Sequence, residues 1–356
     1  MAERLFDLPE TKGIFQLKGI VSGTQSSRFF TEKEINGSNG KRRNMRTVNF
    51  GVNYAPDNKL FVNLLGIEQD NVYFYSKDDK KTERVSWDNR FKFNKNGYRL
   101  IGNNIGVKKV IDPNTGEKVN DKKLLTDYDT CMEVCTNLED DASVFIRGDL
   151  SFRSYINRNN DKVSSINLTP KQISLCADID FYDEKYVQQN DFSQVIVYTG
   201  IEKEVDDDGK QTGRFVVSAK IVTYSTIEDA EFIIENSKLA NMFRKNLKPY
   251  NSIKVSGHMV AEPVVEQVSN DDEWGEADAT ERIVIPVKRE FIITGAKGST
   301  VDKETYSEEN IAAAISAINR SNKAEKDFNS DSDEDSEDGD WGDSILDDNE
   351  EVAWEV

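Results

Sequence analysis

From residue 13 to residue 296 the chain reads mostly as short runs in which apolar and polar side chains alternate. "GIFQLKGIVSG" (13–23) carries Phe15, Leu17 and Val21 on one face, and "RTVNFGVNY" (46–54) sets Val48, Phe50, Val52 and Tyr54 against Thr47, Asn49 and Asn53. A period of two marks half-buried strands. "KLFVNLLGI" (59–67) and "NVYFYS" (71–76) make a third pass, with Tyr73 and Tyr75 alternating against Val72 and Phe74. An irregular basic and aromatic insertion fills roughly 78–123. The period then changes: Leu124, Tyr128, Cys131, Cys135 and Leu138 fall on one helical stripe, which predicts a helix over 124–138. Strands at 143–152 and 163–169 follow, separated by the turn-rich "NRNNDK".

The second half repeats that order. Strands are predicted at 193–201, 213–224 and 230–236, then a helix over 237–247 with Leu239, Met242, Phe243 and Leu247 on one face, then strands at 252–260 and 281–295. The strands after the two helices share a pattern, "VFIRGDL" (144–150) and "IKVSGHM" (253–259), apolar-x-apolar-x-Gly-x-apolar. Five strands with a helix between the third and fourth is the order of the OB-fold, and a glycine in the fourth strand lets a small barrel bend sharply. A β-sandwich of unspecified type is the competing reading. The expected fold is all-β, with two tandem OB-fold barrels at 13–182 and 192–296. Each carries a short helix. An N-terminal arm (1–12) precedes them, a helix at 305–320 opens on a possible capping box (Thr305 and Glu308), and 321–356 is expected to be a disordered acidic tail.

Charge sharpens this division. The formal net charge is −19, yet residues 11–110 carry 19 Lys and Arg against 9 Asp and Glu, a net +10, while 327–356 carry 14 acids and no basic residue. A basic first half joined to an acidic tail points to a polyanion partner and to something that competes with it. Solubility alone is the bland alternative for the tail. No apolar run approaches the ~18 residues of a membrane span, the start lacks a signal-peptide core, and three cysteines cannot build a disulfide framework, so a cytoplasmic location is expected.

Enzymatic chemistry is poorly served. The single histidine, His258, sits in mid-strand, where a purely structural role is the ordinary outcome. Cys131 and Cys135 share a helical face but have no second ligand pair. No P-loop or nucleophile elbow is present, and no cofactor or metal is called for.

Single-stranded nucleic acid, by contrast, needs cations along a backbone and aromatic faces for bases. "GSNGKRRNMRTVNF" delivers Lys41, Arg42, Arg43 and Arg46 into the second strand, and loops between the first two strands of an OB barrel flank its binding face. "RVSWDNRFKFNKNGYRLIGNNIGVKK" (84–109) offers Trp87, Phe91, Phe93 and Tyr98 among Arg84, Arg90, Lys92, Lys95, Arg99, Lys108 and Lys109. Phe91 and Phe93 alternate with Arg90 and Lys92 as in a short strand. On the fourth strand Arg147 and Arg153 lie opposite Val144, Ile146 and Leu150, and Tyr155 and Arg158 extend that patch. Tyr73 and Tyr75 complete the candidate set.

The stretch "SVFIRGDLSFRSYINRNNDKVSSINLTPKQISL" (143–175) resembles the fourth-to-fifth-strand hairpin of bacterial and phage single-stranded DNA-binding proteins. That family also ends in an acidic tail with an apolar tip. The resemblance implies sequence-nonspecific binding and protection of single-stranded DNA in replication and recombination. It further implies a tail, here with Trp341, Ile345, Leu346, Trp354 and Val356, that recruits polymerase, helicase, primase or recombinase. Two barrels and a long insertion look more like a phage-encoded variant, which would place the protein in a bacterial host. The tip lacks the family's Pro-Phe ending. The pattern "DDEWGEAD" at 271–278 echoes "DGDWGD" at 338–343, so either segment could cover the basic groove when DNA is absent. A DNA-mimic module and a strand-annealing recombination protein are the rival readings.

Overall fold

The computed structural model describes residues 4–37, 40–156, 162–206, 208–263 and 287–330. In chain order the strands are β1 (Gly13–Ser22), β2 (Phe30–Asn36), β3 (Arg42–Ala55), β4 (Asn58–Ile67), β5 (Asn71–Ser76), β6 (Lys81–Ser86), β7 (Tyr98–Leu100), β8 (Asn103–Gly106), β9 (Lys109–Ile111), β10 (Lys118–Asn120) and β11 (Lys123–Leu125). Helix α1 (Asp127–Asn137) precedes β12 (Ser143–Ile156) and β13 (Lys162–Leu175). The second half holds β14 (Gln189–Val205), β15 (Gln211–Val222), β16 (Ile227–Ile234), α2 (Ser237–Asn246), β17 (Ser252–Pro263), β18 (Val287–Asp302) and α3 (Glu308–Ser330). With 55% of residues in strands and 14% in helices, the chain is all-β.

The second half closes as a five-stranded ring. β14 pairs with β15, β15 with β16, β16 runs parallel to β18, β18 pairs with β17, and β17 returns to β14. Its strand order, 1-2-3-5-4, is that of the OB-fold, with α2 between the third and fourth strands. The first half follows the same path through β4, β3, β1, β12 and β13, with α1 in the matching position. Part of the insertion joins this barrel, because β8 runs parallel to β13 and buries Ile105. The rest forms a separate sheet, β6-β5-β7, and a hairpin, β9–β10. The segment expected to be irregular over 78–123 therefore contains the short strands β6 to β10 and the start of β11.

The two shared glycines have the same job. Gly148 and Gly257 each sit at a register shift in the fourth strand, and a Cβ there would lie 2.0 Å from the Thr169 carbonyl oxygen or 1.8 Å from that of Ile292. Only glycine allows the fifth strand to approach so closely at the bend.

The barrels are fused edge to edge. β1 and β14 pair antiparallel from Gly13 opposite Gln194 to Lys18 opposite Gln189. Buried Gln194 donates to the Thr11 and Val195 carbonyls, and buried Asn190 donates to the Met259 carbonyl, so the seam's amide donors are satisfied. Each fourth strand then reaches across. Phe152, four residues past Gly148, packs 5.9 Å from Phe232 and 5.3 Å from Phe291 in the second barrel. Ala261, four residues past Gly257, donates its N–H to the Tyr54 hydroxyl of the first barrel at 2.9 Å. One hydrophobic core runs through both barrels as a result. A smaller cluster joins Phe6 and Leu8 of the N-terminal arm to Tyr306, just ahead of α3, and to Ile311 and Ala314 of α3, over Val197 and Val222.

Several local expectations need correction. α1 starts after Thr126, whose hydroxyl caps the Asp129 N–H, so Leu124 belongs to β11 and not to the helix. Met242 points outward, and α2 buries Ala240 and Phe243 instead. The cap of α3 is Ser307, which accepts from Asn310 N–H, whereas the Thr305 hydroxyl bonds Asp302. α3 also continues through 321–330, which were expected to be disordered. The acidic segments 271–278 and 331–356 lie outside the described residues.

Replacing Gly148 or Gly257 by Ala should destabilise the protein by about 1–3 kcal/mol through overpacking at the bend. Both variants should still melt in one calorimetric transition, because the barrels share a core. Two separate transitions would contradict that sharing.

Candidate nucleic-acid interface

The hairpin of β2 and β3 carries the first basic group, and carboxylates meet most of it. Lys41 pairs with Asp70 at 2.7 Å and Arg42 with Glu34 at 3.3 Å, both well exposed. Arg43 bonds Asp70 at 2.7 Å and the Glu68 carbonyl at 3.2 Å. Arg46 bonds Glu32 at 2.8 Å and lies over the Tyr128 ring at 3.8 Å. Exposed pairs of this type are screened by water and salt and hold weakly, so Lys41 and Arg42 can exchange a carboxylate for a phosphate readily. Arg46, which is mostly covered, is tied into the contact between barrel and α1.

The insertion turns several predicted stackers inward. Trp87, Asp88 and Asn89 form one 3-10 turn followed by further turns, so Phe91 and Phe93 do not alternate along a strand as expected. Arg90 makes two bonds to Asp129, at 2.8 and 3.0 Å, and covers the Trp87 ring at 4.1 Å. Trp87 meets Tyr128 edge-on. Phe93 packs on Phe74 at 4.4 Å and on Tyr98, while Lys95 pairs with Glu83 and lies over Tyr98. These residues form the underside of the β6-β5-β7 sheet. Phe91 is the exception, 67% exposed beside Arg90. Lys92 is exposed on the same turn.

The upper side of that sheet is different. Tyr73 and Tyr75 are exposed, and Arg84 and Arg99 stand beside them on β6 and β7. Arg84 and Arg99 were both named from the sequence as part of the basic and aromatic segment 84–109. Phe61 was not singled out from the sequence; it is 56% exposed on the outer face of β4 opposite Gly51, with the Lys59 ammonium 6.0 Å from its ring. Burial lowers the pKa of Lys59, and Asp140 opposes that shift. The clue was present: in "KLFVNLLGI" Phe61 falls out of phase with Leu60, Val62 and Leu64, which fill the core. The outer face of β15 and β16 in the second barrel is acidic by comparison, with Glu231 opposite Ser218 and Asp229 paired to Lys220 at 2.7 Å.

On β12, Arg147 is exposed between Gln16 and Gln172, and Arg153 is exposed opposite Ser165. Tyr155 sits opposite Val163, but its side chain and the whole of Arg158 lie outside the described residues, as do Trp341, Ile345, Leu346, Trp354 and Val356. Lys108 and Lys109 line an open cavity of about 430 Å³ that also holds Glu139, Asp141 and Asp178. His258 is a half-exposed strand residue with Nδ1 3.0 Å from Asp191 Oδ1. Cys131 is buried where α1 meets the barrel, its thiol directed at the Arg46 and Leu64 carbonyls.

With the geometry in place, comparison with known proteins can be stated. The YorF family model matches residues 75–331. The chain belongs to the YorF family. No curated protein matches it. Two structures of the single-stranded DNA-binding protein from Thermus aquaticus, the wild type and a deletion mutant that also carries one arginine-to-alanine substitution, each align over 81% of this YorF chain at 10% identity. They are covered over 93% and 94% of their own length, with a TM-score of 0.36 in both cases. A likeness of that size adds nothing to the strand-by-strand assignment. The family match covers the insertion and the second barrel, and it leaves β1 to β4 outside.

Two groups at the α1 contact hold their protons unusually tightly in this YorF-family chain. Burial, reinforced by Asp127, pushes the Cys131 thiol up to about 12, and burial with the hydrogen bond to Glu32 pushes the Tyr128 phenol up to about 12. Both folded values exceed the ordinary 9 and 10, so the unfolded chain ionises first. Their contribution is complete below about pH 9 and is lost as pH rises toward 12. Urea midpoints should therefore fall between pH 9 and 11, and Cys131→Ala should flatten the part of that slope nearest pH 9.

Proposed function

We propose that this protein binds single-stranded DNA without sequence preference and that the first barrel holds the strand. The observation that carries this reading is the contrast between the two barrels on the same pair of strands. On the first, Phe61 stands exposed over glycine and beside Lys59; on the second, the corresponding face presents Glu231 and Asp229. The outer face of the second and third strands is where OB barrels take up oligonucleotides. An exposed phenyl ring there stacks on any base, and Lys41 and Arg42, exposed where β3 begins and nine to ten residues from Gly51, track phosphates of a strand that runs on past it. Arg147 and Arg153 give a further cationic row on β12. In this reading the protein is a binder and not an enzyme. The tail with Trp341 and Trp354 serves as a docking segment for proteins of DNA replication and recombination, a role supported by its charge and its apolar tip.

Fluorescence anisotropy with labelled oligo-dT and duplex DNA at two salt concentrations tests the reading. Single strands should bind more tightly than duplex, with affinity falling as salt rises. Phe61→Ala should weaken binding to dT by about 5- to 150-fold, the equivalent of roughly 1–3 kcal/mol of lost stacking, with the melting temperature unchanged. Glu231→Gln on the second barrel should leave affinity within about twofold. Equal binding of duplex, or binding indifferent to salt, would overturn the proposal.

A further inference from the structure

The sheet β6-β5-β7 lies outside both five-stranded barrels, yet its upper face is assembled like a ligand surface. Its strands set the side chains in two rows. Arg84, Tyr73 and Ile101 form the first, since Arg84 is the register partner of Tyr73 and the Ile101 N–H bonds the Tyr73 carbonyl. Thr82, Tyr75 and Arg99 form the second. Tyr73 is 47% exposed, Tyr75 39% and Ile101 59%. No acidic residue occupies either row, and among the described residues neither Arg84 nor Arg99 has a carboxylate partner. The nearby Arg43, Arg90 and Lys95, by contrast, are each neutralised by a carboxylate.

The underside explains why the upper face is not simply packing surface. Phe74 is buried against Phe93, and Val72 and Ser76 are also buried, so the sheet's core requirement is already met from below. Tyr73 and Tyr75 are then left displayed on a rigid strand. Their rings are two residues apart, about 6.7 Å along the strand. Stacked bases in a duplex advance only about 3.4 Å per nucleotide. The spacing suits successive bases of an extended strand, one on each tyrosine, with an arginine at opposite corners for phosphates.

We propose that the β6-β5-β7 sheet is a second stacking platform for single-stranded nucleic acid, separate from the Phe61 face and used when the strand is long enough to reach both. The proposal rests on the single-strand reading above and extends it to a surface that the barrel itself does not supply.

The test compares a short oligo-dT of about 8 nucleotides with a long one of about 30, against site sizes of roughly 4–16 nucleotides per OB barrel. Y73A/Y75A should weaken the long oligonucleotide by about tenfold or more and leave the short one, whose binding should depend on Phe61, unchanged. R84A/R99A should reduce the salt slope for the long strand by about 1.4, or about 0.7 per phosphate contact, with little effect on the short one. All four residues are exposed, so melting temperatures should match the parent. If both double variants bind the long strand as the parent does while F61A still loses dT, the platform is wrong and the single-strand reading stands. Equal losses on short and long strands would also overturn it, since the sheet would then belong to one continuous site. If the unmodified protein binds neither oligonucleotide, both proposals fall together.

Discussion

The architecture depends on the antiparallel pairing of β1 with β14. A five-stranded barrel leaves part of its first strand with an unused edge, and an open edge is a template for unwanted pairing. Here each barrel's first strand satisfies the other's. That pairing brings the two bent fourth strands close enough for Phe152 and Ala261 to reach into the opposite barrel. The glycines at 148 and 257 make the bends possible. One core then serves both halves, which turns two small barrels into a single cooperative body.

This fusion also decides which surfaces remain for a ligand. The first strands and the extended fourth strands are used at the seam. α3 and the N-terminal arm cover part of the outside of β14 and β15. The outer face of β3 and β4 is left free, and so is the upper face of the β6-β5-β7 sheet. Both faces set exposed aromatic rings on strands beside cations. The corresponding face of the second barrel carries carboxylates, so duplication of the fold did not bring duplication of the surface chemistry.

Much of the fold was legible because its signals are local. Period-two alternation located the principal barrel strands, the change to helical spacing located both internal helices, and the shared Gly motif tied the halves together. Boundaries set by caps were less legible. Thr126 and Ser307 compete with equally plausible neighbours, and only the hydrogen bonds made by Asp129 and Asn310 settle the helix starts. The site was legible in composition more than in detail. Counting cations from 11 to 110 suggested a broad basic surface, but Arg43, Arg46, Arg90 and Lys95 meet carboxylates distant in sequence. Composition could not separate Trp87 and Phe93, which pack inward, from Tyr73 and Tyr75, which do not. Phe61 was missed because it sits in an apolar run and looks like core unless its phase is compared with Leu60 and Val62.

The central claim is that exposed rings of the first half, and not the second barrel, hold single-stranded DNA. Photocrosslinking of a halogenated oligo-dT to the intact protein, followed by peptide mapping, tests it most directly. Crosslinks should concentrate in the peptides containing Phe61 and Tyr73–Tyr75. Crosslinks concentrated within 189–302 would contradict the account.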